Sequence, residues 1–527
     1  MKNIRFINYI AATVILLVAG GCSESFTDLT PKGSATEGNY WQTDADASAG
    51  ANSMYYYMKD EDMFTRGFMW YINASDDMIT GRTNAKADAA VNFTLSGDEG
   101  YFSWMYPQSY KIIRRANDVL VHVPEIDMDA TLKDRILGEA YFMRGFHNFW
   151  LAHTYGDNGP NGGIPIVTKE NMYDDHFTRT ASVTENYAQI ISDMGKAAEL
   201  LPLFTTYASE DLGRAHKDAA LAYIAKTYMY WAQYDNSKWA KVVEYCDKVT
   251  NSGSGRELLD TDSPEADFHN LFTFNENFGS EYIWSVVSGT DAGSKLPGVM
   301  LENKGWGDYN GWGYYQPTLE LYDAFEEGDN RRKETILEFG QEFQWFGETR
   351  RYTSQNSQSG FQFNKYMDAY GYSNPVGSTI NPNGNDPTTI ADVPILRYAE
   401  VLLMKAEALL MQGQNADVSI NAVRDRAGLA PLSNATMADL KHERRVEFAG
   451  EFANRHFDLV RWGDADDAYN MPLHGRDYAD KTNPDSPFTI KEVRAARPQF
   501  DPNVHHVWII PNDDVAISGI EQNKGWN

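Results

Sequence analysis

Residues 221–246 read LAYIAKTYMYWAQYDNSKWAKVVEYC, and their spacing sets the class of fold. Leu221, Ile224, Ala225, Tyr228 and Met229 fall at i, i+3, i+4, i+7 and i+8, which lines one face of a helix with apolar groups. Asp235, Asn236 and Ser237 interrupt that rhythm, and Trp239, Val242, Val243 and Cys246 begin a second stripe. The segment therefore predicts a helix, a short turn and a helix, in tetratricopeptide proportions. The design recurs downstream, where Leu396, Ala399, Leu403, Ala406 and Leu410 form one stripe, Gly413 breaks it, and Ala416, Ile420, Val423 and Ala427 form another. Small alanines let such paired helices approach closely. Further amphipathic segments run over 101–122, 131–153 and 183–202. The expectation is a mainly α body, a helical-repeat scaffold interrupted by insertions.

Composition bounds the rest. At 527 residues with 42% hydrophobic content, the chain can bury one or two large cores. A formal charge of −28 repels phosphate backbones and excludes nucleic acid as a partner. Lys2 and Arg5 precede an apolar stretch from Ile10 to Ala19, then Gly20, Gly21 and Cys22, the layout of a secretory signal over residues 1–21. That stretch is too short to span a bilayer. A cysteine after two small residues resembles a lipobox, with Ala19 where Leu is usual, and makes Cys22 the expected lipid anchor. Cys246 then has no disulfide partner and reads as a core residue on its helix stripe.

From about 252 to 395 the chain turns to Gly, Asn, Asp, Ser and aromatic residues, with strand-like runs such as Tyr282 to Val287. A loop region of that length in a compact body is functional or disordered, and its Trp and Tyr content argues against disorder. The stretch GWGDYNGWGYY, residues 305–315, gathers Trp306, Tyr309, Trp312, Tyr314 and Tyr315 among glycines, with Asp308 and Asn310 between them. Sugars present C–H faces that stack on indole and phenol rings, while their hydroxyls take carboxylate and amide partners at the edge. These residues are the first candidate ligand surface; the plainer reading packs two or three of the rings beneath the loop. Trp345 and Phe346 beside Arg350 and Arg351 form a second cluster, whose basic pair could read a uronic acid or a peptide carboxylate.

Catalytic and metal motifs are lacking. Glu443, Glu447, Glu451 and Arg455 recur every four residues and line one helical face, so they are neighbours rather than two acids held across a cleft as glycosidase chemistry requires. His442 and Glu443 begin an H-E-x-x-H frame, but Val446 holds the second histidine's place. His505 and His506 precede an alternating, strand-like run that would point them apart. Asp44 with Asp46, Asp260 with Asp262, and Asp464 with Asp466 and Asp467 could offer oxygen ligands to a structural calcium, though none has the frame of an EF-hand. No cofactor is expected.

Seven blocks in order resemble the RagB/SusD family. They are CSESFTDLTPKG from Cys22; GNYWQTDADASAGANSMY from Gly38; YKIIRRANDVLVHVPEI from Tyr110; GEAYFMRGFHNFWLAHTYGDNGPNGGIPIV from Gly138; LRYAEVLLMKAEALL from Leu396 with INAVRDRAGL; ERRVEFAGEFANRHFDLVRWGD from Glu443; and the terminal HHVWIIPNDDVAISGIEQNKGW from His505. The resemblance spans nearly the whole chain. It implies a helical N-terminal region over 22–255 and a C-terminal region over 256–527 that carries the aromatic insert, in one body with four tetratricopeptide-like helix pairs. It also implies a surface lipoprotein of the outer membrane, working with a SusC-like TonB-dependent transporter and binding glycan, with no catalysis. Ser23, Glu24 and Ser25 offer one acid where surface-exported members commonly carry a cluster. The family reading makes the Glu443 to Arg455 face an ion network, and it places a third strip, Trp70 and Tyr71 through Asp76, Asp77, Arg82 and Asn84, on a loop that borders ligand. The plainer alternative for that strip is core packing for Trp70 and Tyr71, with a helix cap from Asp76 and Asp77. A peptide-binding member of the same family and a glycoside hydrolase are the competing functions.

Overall fold

A computed structural model of the chain describes residues 40–60, 63–82, 84–100, 104–289, 293–296, 300, 311–345, 348–367, 388–453 and 455–526, with Trp345 and Glu348 described by backbone alone. The signal, Cys22, Trp306, Asp308, Tyr309, Asn310 and Phe346 lie outside the described residues. Helices of eight residues or more are α1 (Asp44–Tyr55), α2 (Arg66–Asn73), α3 (Met105–His122), α4 (Ala130–Tyr155), α5 (Val183–Leu200), α6 (Lys217–Trp231), α7 (Trp239–Thr250), α8 (Tyr398–Met411), α9 (Asp417–Arg426), α10 (Met437–Glu447) and α11 (Arg455–Trp462). None is both long and apolar enough to cross a membrane.

The helices stack in sequence order, α3 on α4, α4 on α5, α5 on α6, α6 on α7, then α7 on α8, and α8 on α9 and α10. Asp129 starts α4 by accepting from the Leu132 N–H at 2.9 Å, and the helix runs 26 residues with nearly every side chain from Gly138 onward buried. Two glycines set its approach to α5: a Cβ at Gly138 would lie 2.8 Å from Leu201 Cγ, and one at Gly145 would lie 3.1 Å from Met194 Cε. Between them Arg144 donates to both carboxylate oxygens of Asp193, at 2.9 and 2.6 Å, and to Asn117 Oδ1 at 2.7 Å. One buried guanidinium thus ties α3, α4 and α5.

The hairpin that opened the sequence argument is α6 and α7, with Ile224, Ala225, Met229, Trp239, Val242 and Cys246 all buried. Burial pushes the Cys246 thiol well above its ordinary value, as befits a core residue. In the later hairpin, Ala399, Leu403, Ala406, Ile420 and Val423 are buried as expected, and Gly413 turns the chain at φ +69°. Leu396 differs: it belongs to a strand rather than to the helix stripe, because Val393 to Leu396 are continuously apolar and helix starts only at Tyr398.

Strands are short and form five antiparallel ribbons among the described residues. They are β1 (Met78–Thr80), β2 (Tyr282–Val286), β3 (Tyr315–Pro317), β4 (Ile336–Leu337), β5 (Glu342–Trp345), β6 (Glu348–Arg351), β7 (Gln362–Phe363), β8 (Val393–Arg397), β9 (Leu473–Tyr478) and β10 (Phe488–Arg494). The pairs are β1 with β3, β2 with β8, β4 with β7, β5 with β6, and β9 with β10. Residues 502–506 form turns, and 507–511 continue as irregular chain rather than the expected strand. His506 Nε2 lies 3.0 Å from Asp157, while His505 accepts from the Asp501 N–H at 2.8 Å, so each ring has its own local partner.

The two halves of the chain interlock. Besides the β1–β3 ribbon, Arg497, 1% exposed, donates to the Val91 carbonyl at 3.1 Å and to the Ser75 carbonyl at 3.1 Å. One large apolar core accordingly runs from Ala47 to Trp526, and a smaller cluster joins α8, α9 and α10.

Candidate functional site

The β1–β3 ribbon pairs Met78 with Pro317, Ile79 with Gln316 and Thr80 with Tyr315, which brings Gly81 and Arg82 beside Gly311 to Tyr314. The Gly81 N–H donates to the Tyr314 carbonyl at 2.9 Å. No side chain fits at 81: a Cβ there would collide with the Gly313 carbonyl oxygen and lie 2.7 Å from Gln316 Cδ. Gly313 itself has φ +64°, which L side chains rarely adopt.

Trp312 emerges from this junction half-buried. Its indole has the Arg66 guanidinium 5.0 Å and the Lys295 ammonium 5.9 Å from the ring centre. Exposed Arg82 donates from Nη1 to the Trp312 carbonyl at 3.2 Å, and its guanidinium lies 4.9 Å from the Tyr314 ring. Cations on an indole face hold the ring by quadrupole attraction and supply hydrogen-bond donors at its border. Tyr314, expected at the ligand surface, is only 6% exposed: it sits edge-on between Trp70, 5.2 Å away, and Trp312, 5.9 Å away, and so supports the platform from beneath. Tyr315 is fully buried and donates to the Arg66 carbonyl at 3.0 Å.

The third strip divides. Trp70 and Tyr71 are core, as the plainer reading had it. Asp76 and Asp77 do not cap a helix with their side chains; they pair with arginines of the ERR block, Asp76 with Arg455 at 2.9 Å and Asp77 with Arg445 at 2.7 Å. Burial pushes the Asp76 carboxyl up, but Arg445 and Arg455 outweigh it and hold it well below the ordinary carboxylate range. Asn84 caps the short helix Ala85–Val91, its Oδ1 accepting from the Lys86 and Ala87 N–H groups at 3.1 and 3.3 Å. Arg66 and Lys295 escaped the sequence reading. The available signal for Arg66 was one cation heading an otherwise apolar run, RGFMWYIN.

The second cluster lies on the β5–β6 hairpin, where Phe343 pairs with Arg350 and Glu342 with Arg351. Phe343 is buried, Arg350 is half-buried, and Arg351 Nε donates to the Gly340 carbonyl at 2.9 Å. The hairpin borders a polar cleft of about 520 Å³, with Gln344 and Thr349 on one side and His269, Asn270 and Glu334 on the other. The side chain of Trp345 lies outside the described residues.

The carboxylates with a catalytic reading are consumed by ion pairs. Glu443 meets Arg331 at 2.6 Å and Arg424 at 3.2 Å; Glu447 meets Arg331 at 3.0 Å, Arg397 at 2.8 Å and Arg426 at 2.5 Å; Glu451 meets Lys365 at 2.6 Å and Arg397 at 2.7 Å. All three carboxylates are at most 4% exposed, which leaves no room for substrate. Among the described residues no group of three or more His, Cys, Asp or Glu is placed to hold a metal ion.

Comparison with known proteins gives a consistent result. A family model described as "SusD family" matches residues 280–526, and one described as "Starch-binding associating with outer membrane" matches residues 39–229. The chain is 28% identical over 481 residues to SusD-like protein P2 of Formosa agariphila, covering 85% of this chain and 89% of that protein. In structure it is similar to a SusD-like protein from Bacteroides fragilis, with a TM-score of 0.75 at 22% identity over 92% of this chain and 98% of the other. It is also similar to a laminarin-binding SusD-like protein, with a TM-score of 0.72 at 23% identity over 92% and 100% of the two chains.

Proposed function

Because the chain belongs to the RagB/SusD family, we propose that it binds glycan at the surface of the outer membrane and passes it to a SusC-like TonB-dependent transporter, without cleaving it. The lipid anchor in this reading is Cys22. The observation that carries the reading is Trp312: a half-buried indole presented by a glycine-locked strand junction, with the exposed Arg82 bonded to its backbone carbonyl. A pyranose ring can lay its C–H face on such an indole while its hydroxyls accept from the guanidinium. Trp306 and Tyr309, with Asp308 and Asn310, are further proposed ligand contacts on their sequence alone.

Binding without turnover is supported by the burial of Glu443, Glu447 and Glu451 in ion pairs. The laminarin-binding relative and the starch-binding description of the family model support a glycan over a peptide. A shallow platform leaves much of each sugar hydrated, so affinity is modest, which suits capture followed by release into a pore.

The test is calorimetric titration of the purified chain and of Trp312→Ala with a panel of neutral and uronic-acid polysaccharides and of peptides. The expected outcome is glycan binding by the parent and a loss of at least ~10-fold in the variant, with unchanged folding. Equal affinity in parent and variant removes the platform. Binding of peptides alone, lost in Arg350→Ala, replaces glycan by peptide.

A further inference from the structure

We infer that a second cleft, of about 390 Å³ between the end of α1, the 210–214 loop and the end of β2, is an additional carbohydrate subsite with Tyr56 as its stacking plane. It shares no lining residue with the Trp312 platform. Tyr56 is 60% exposed at this cleft, and Val287, 41% exposed, lines the same space. Two large apolar groups left in water around one concavity mark a place where something else packs.

The cleft wall is built rather than incidental. Gly213 has φ +89°, and a Cβ there would collide with Val287, so the loop lies against the strand only because position 213 lacks a side chain. Arg214 fastens the loop, donating to Asp211 at 2.6 Å, to Asn52 Oδ1 at 2.9 Å and to Glu139 at 3.3 Å. A wall fixed before binding lowers the ordering cost of a ligand.

The chemistry of the mouth selects the ligand. Lys59 places its ammonium 5.7 Å from the Tyr56 ring centre and has no carboxylate partner among the described residues. Glu210 also lines the cleft, and among the described residues its carboxylate accepts only from the neighbouring Ser209 hydroxyl, at 3.2 Å. With an uncommitted cation and an uncommitted anion at one opening, neither an anionic nor a cationic ligand meets only favourable charge. A wholly apolar ligand would strip water from both without replacing it. A neutral sugar satisfies both, offering hydroxyls that donate to Glu210 and accept from Lys59, and a C–H face for Tyr56. The ligand class rests on the glycan reading above; the existence of the site rests on this geometry.

Hydrogen–deuterium exchange of the intact chain, with laminarin, maltoheptaose, xylan and alginate as probes, separates the two. The expected result is protection of residues 52–60 and 210–214 together with 311–317, and retention of the first pair in Trp312→Ala. Tyr56→Ala should abolish protection at 52–60 and weaken polysaccharide binding on the order of tenfold, while Tyr56→Phe, which keeps the ring, should restore both. Tyr56 is exposed, so its removal opens no void. Protection at 311–317 alone overturns the second subsite and leaves the platform standing. Protection at 52–60 and 210–214 alone supports the subsite and overturns the platform. Protection at neither segment with any probe overturns both.

Discussion

Neutralising Glu447 separates a structural role for the ERR block from a chemical one. Ten buried groups form the network around it: Arg331, Arg397, Arg424, Arg426 and Lys365 against Asp329, Glu281, Glu443, Glu447 and Glu451, each at most 5% exposed. Charges balance, five against five. Glu447→Gln keeps the shape but leaves the five cations with four buried carboxylates and the half-exposed Glu326, which bonds Arg424. Removing one partner of a buried ion pair costs ~3–5 kcal/mol. Unfolding entropy of about 2.1 cal/mol/K per residue gives ~1 kcal/mol/K for a chain of this size, so the expected fall in Tm is only ~3–5 °C. Differential scanning calorimetry at neutral pH resolves it, and glycan titration of the same sample should show unchanged affinity. Burial pushes the Glu447 carboxyl up, but Arg426, Arg397 and Arg331 outweigh it and hold it well below the ordinary range. Its contribution is therefore fully present above the unfolded glutamate value of about 4.3 and declines as pH falls from there toward the folded value. The gap in Tm between parent and variant should be flat from pH 5 to 8 and narrow below about pH 4. A variant with the parent's Tm refutes the network argument. One that keeps its Tm and loses either binding or hydrolysis of polysaccharide moves Glu447 into the ligand chemistry.

Gly81→Ala should weaken glycan binding on the order of tenfold and cost about 1–3 kcal/mol, because the methyl collides with the Gly313 carbonyl that positions Trp312; unchanged calorimetry and Tm would detach the β1–β3 junction from the site. Asn84→Ala should cost about 1 kcal/mol as a lost helix cap and leave affinity intact; a fall in affinity instead would mean that this amide touches sugar. Asp392 is 1% exposed, accepts from the Ser288 N–H at 2.9 Å through one oxygen, and has no partner for the other among the described residues. Burial pushes its carboxyl up to about 7, so the folded state keeps a proton that the unfolded chain releases near pH 4, and stability falls as pH rises between those values. Asp392→Asn should remove that fall, gaining about 2–4 kcal/mol at pH 8 relative to the parent; parallel plots of Tm against pH for the two proteins would discard the assignment.

The helical scaffold was legible because a stripe at period 3.6 survives any tertiary setting, which is why the α6–α7 hairpin could be read from residues 221–246. Leu396 misled because a short, continuously apolar run such as VPIL fits a helix stripe equally well. The alternation after His506 misled as well, since residues 507–511 form neither strand nor helix and alternating polarity does not separate a strand from irregular chain. At the candidate site, the cluster of rings and glycines was visible, but the division of labour within it was not. Tyr314 is buried by Trp70, more than two hundred residues away in sequence, and Asp76 is claimed by Arg455 at a separation of 379. No local pattern encodes such partners. The Tyr56 cleft was missed for the same reason, since α1, the 210–214 loop and β2 are distant in the chain.

The crossing of β1 with β3, and the reach of Arg497 back to residues 75 and 91, have a temporal meaning for a chain made from its N-terminus first. When Trp70 and Asp76 emerge, the strand and the arginines that complete them have yet to be synthesised. The edge around Trp312 is thus among the last features to mature, and an unfinished product lacks the contacts that shape the proposed platform. On the proposed role, ligand capture doubles as a certificate that the whole chain has come together.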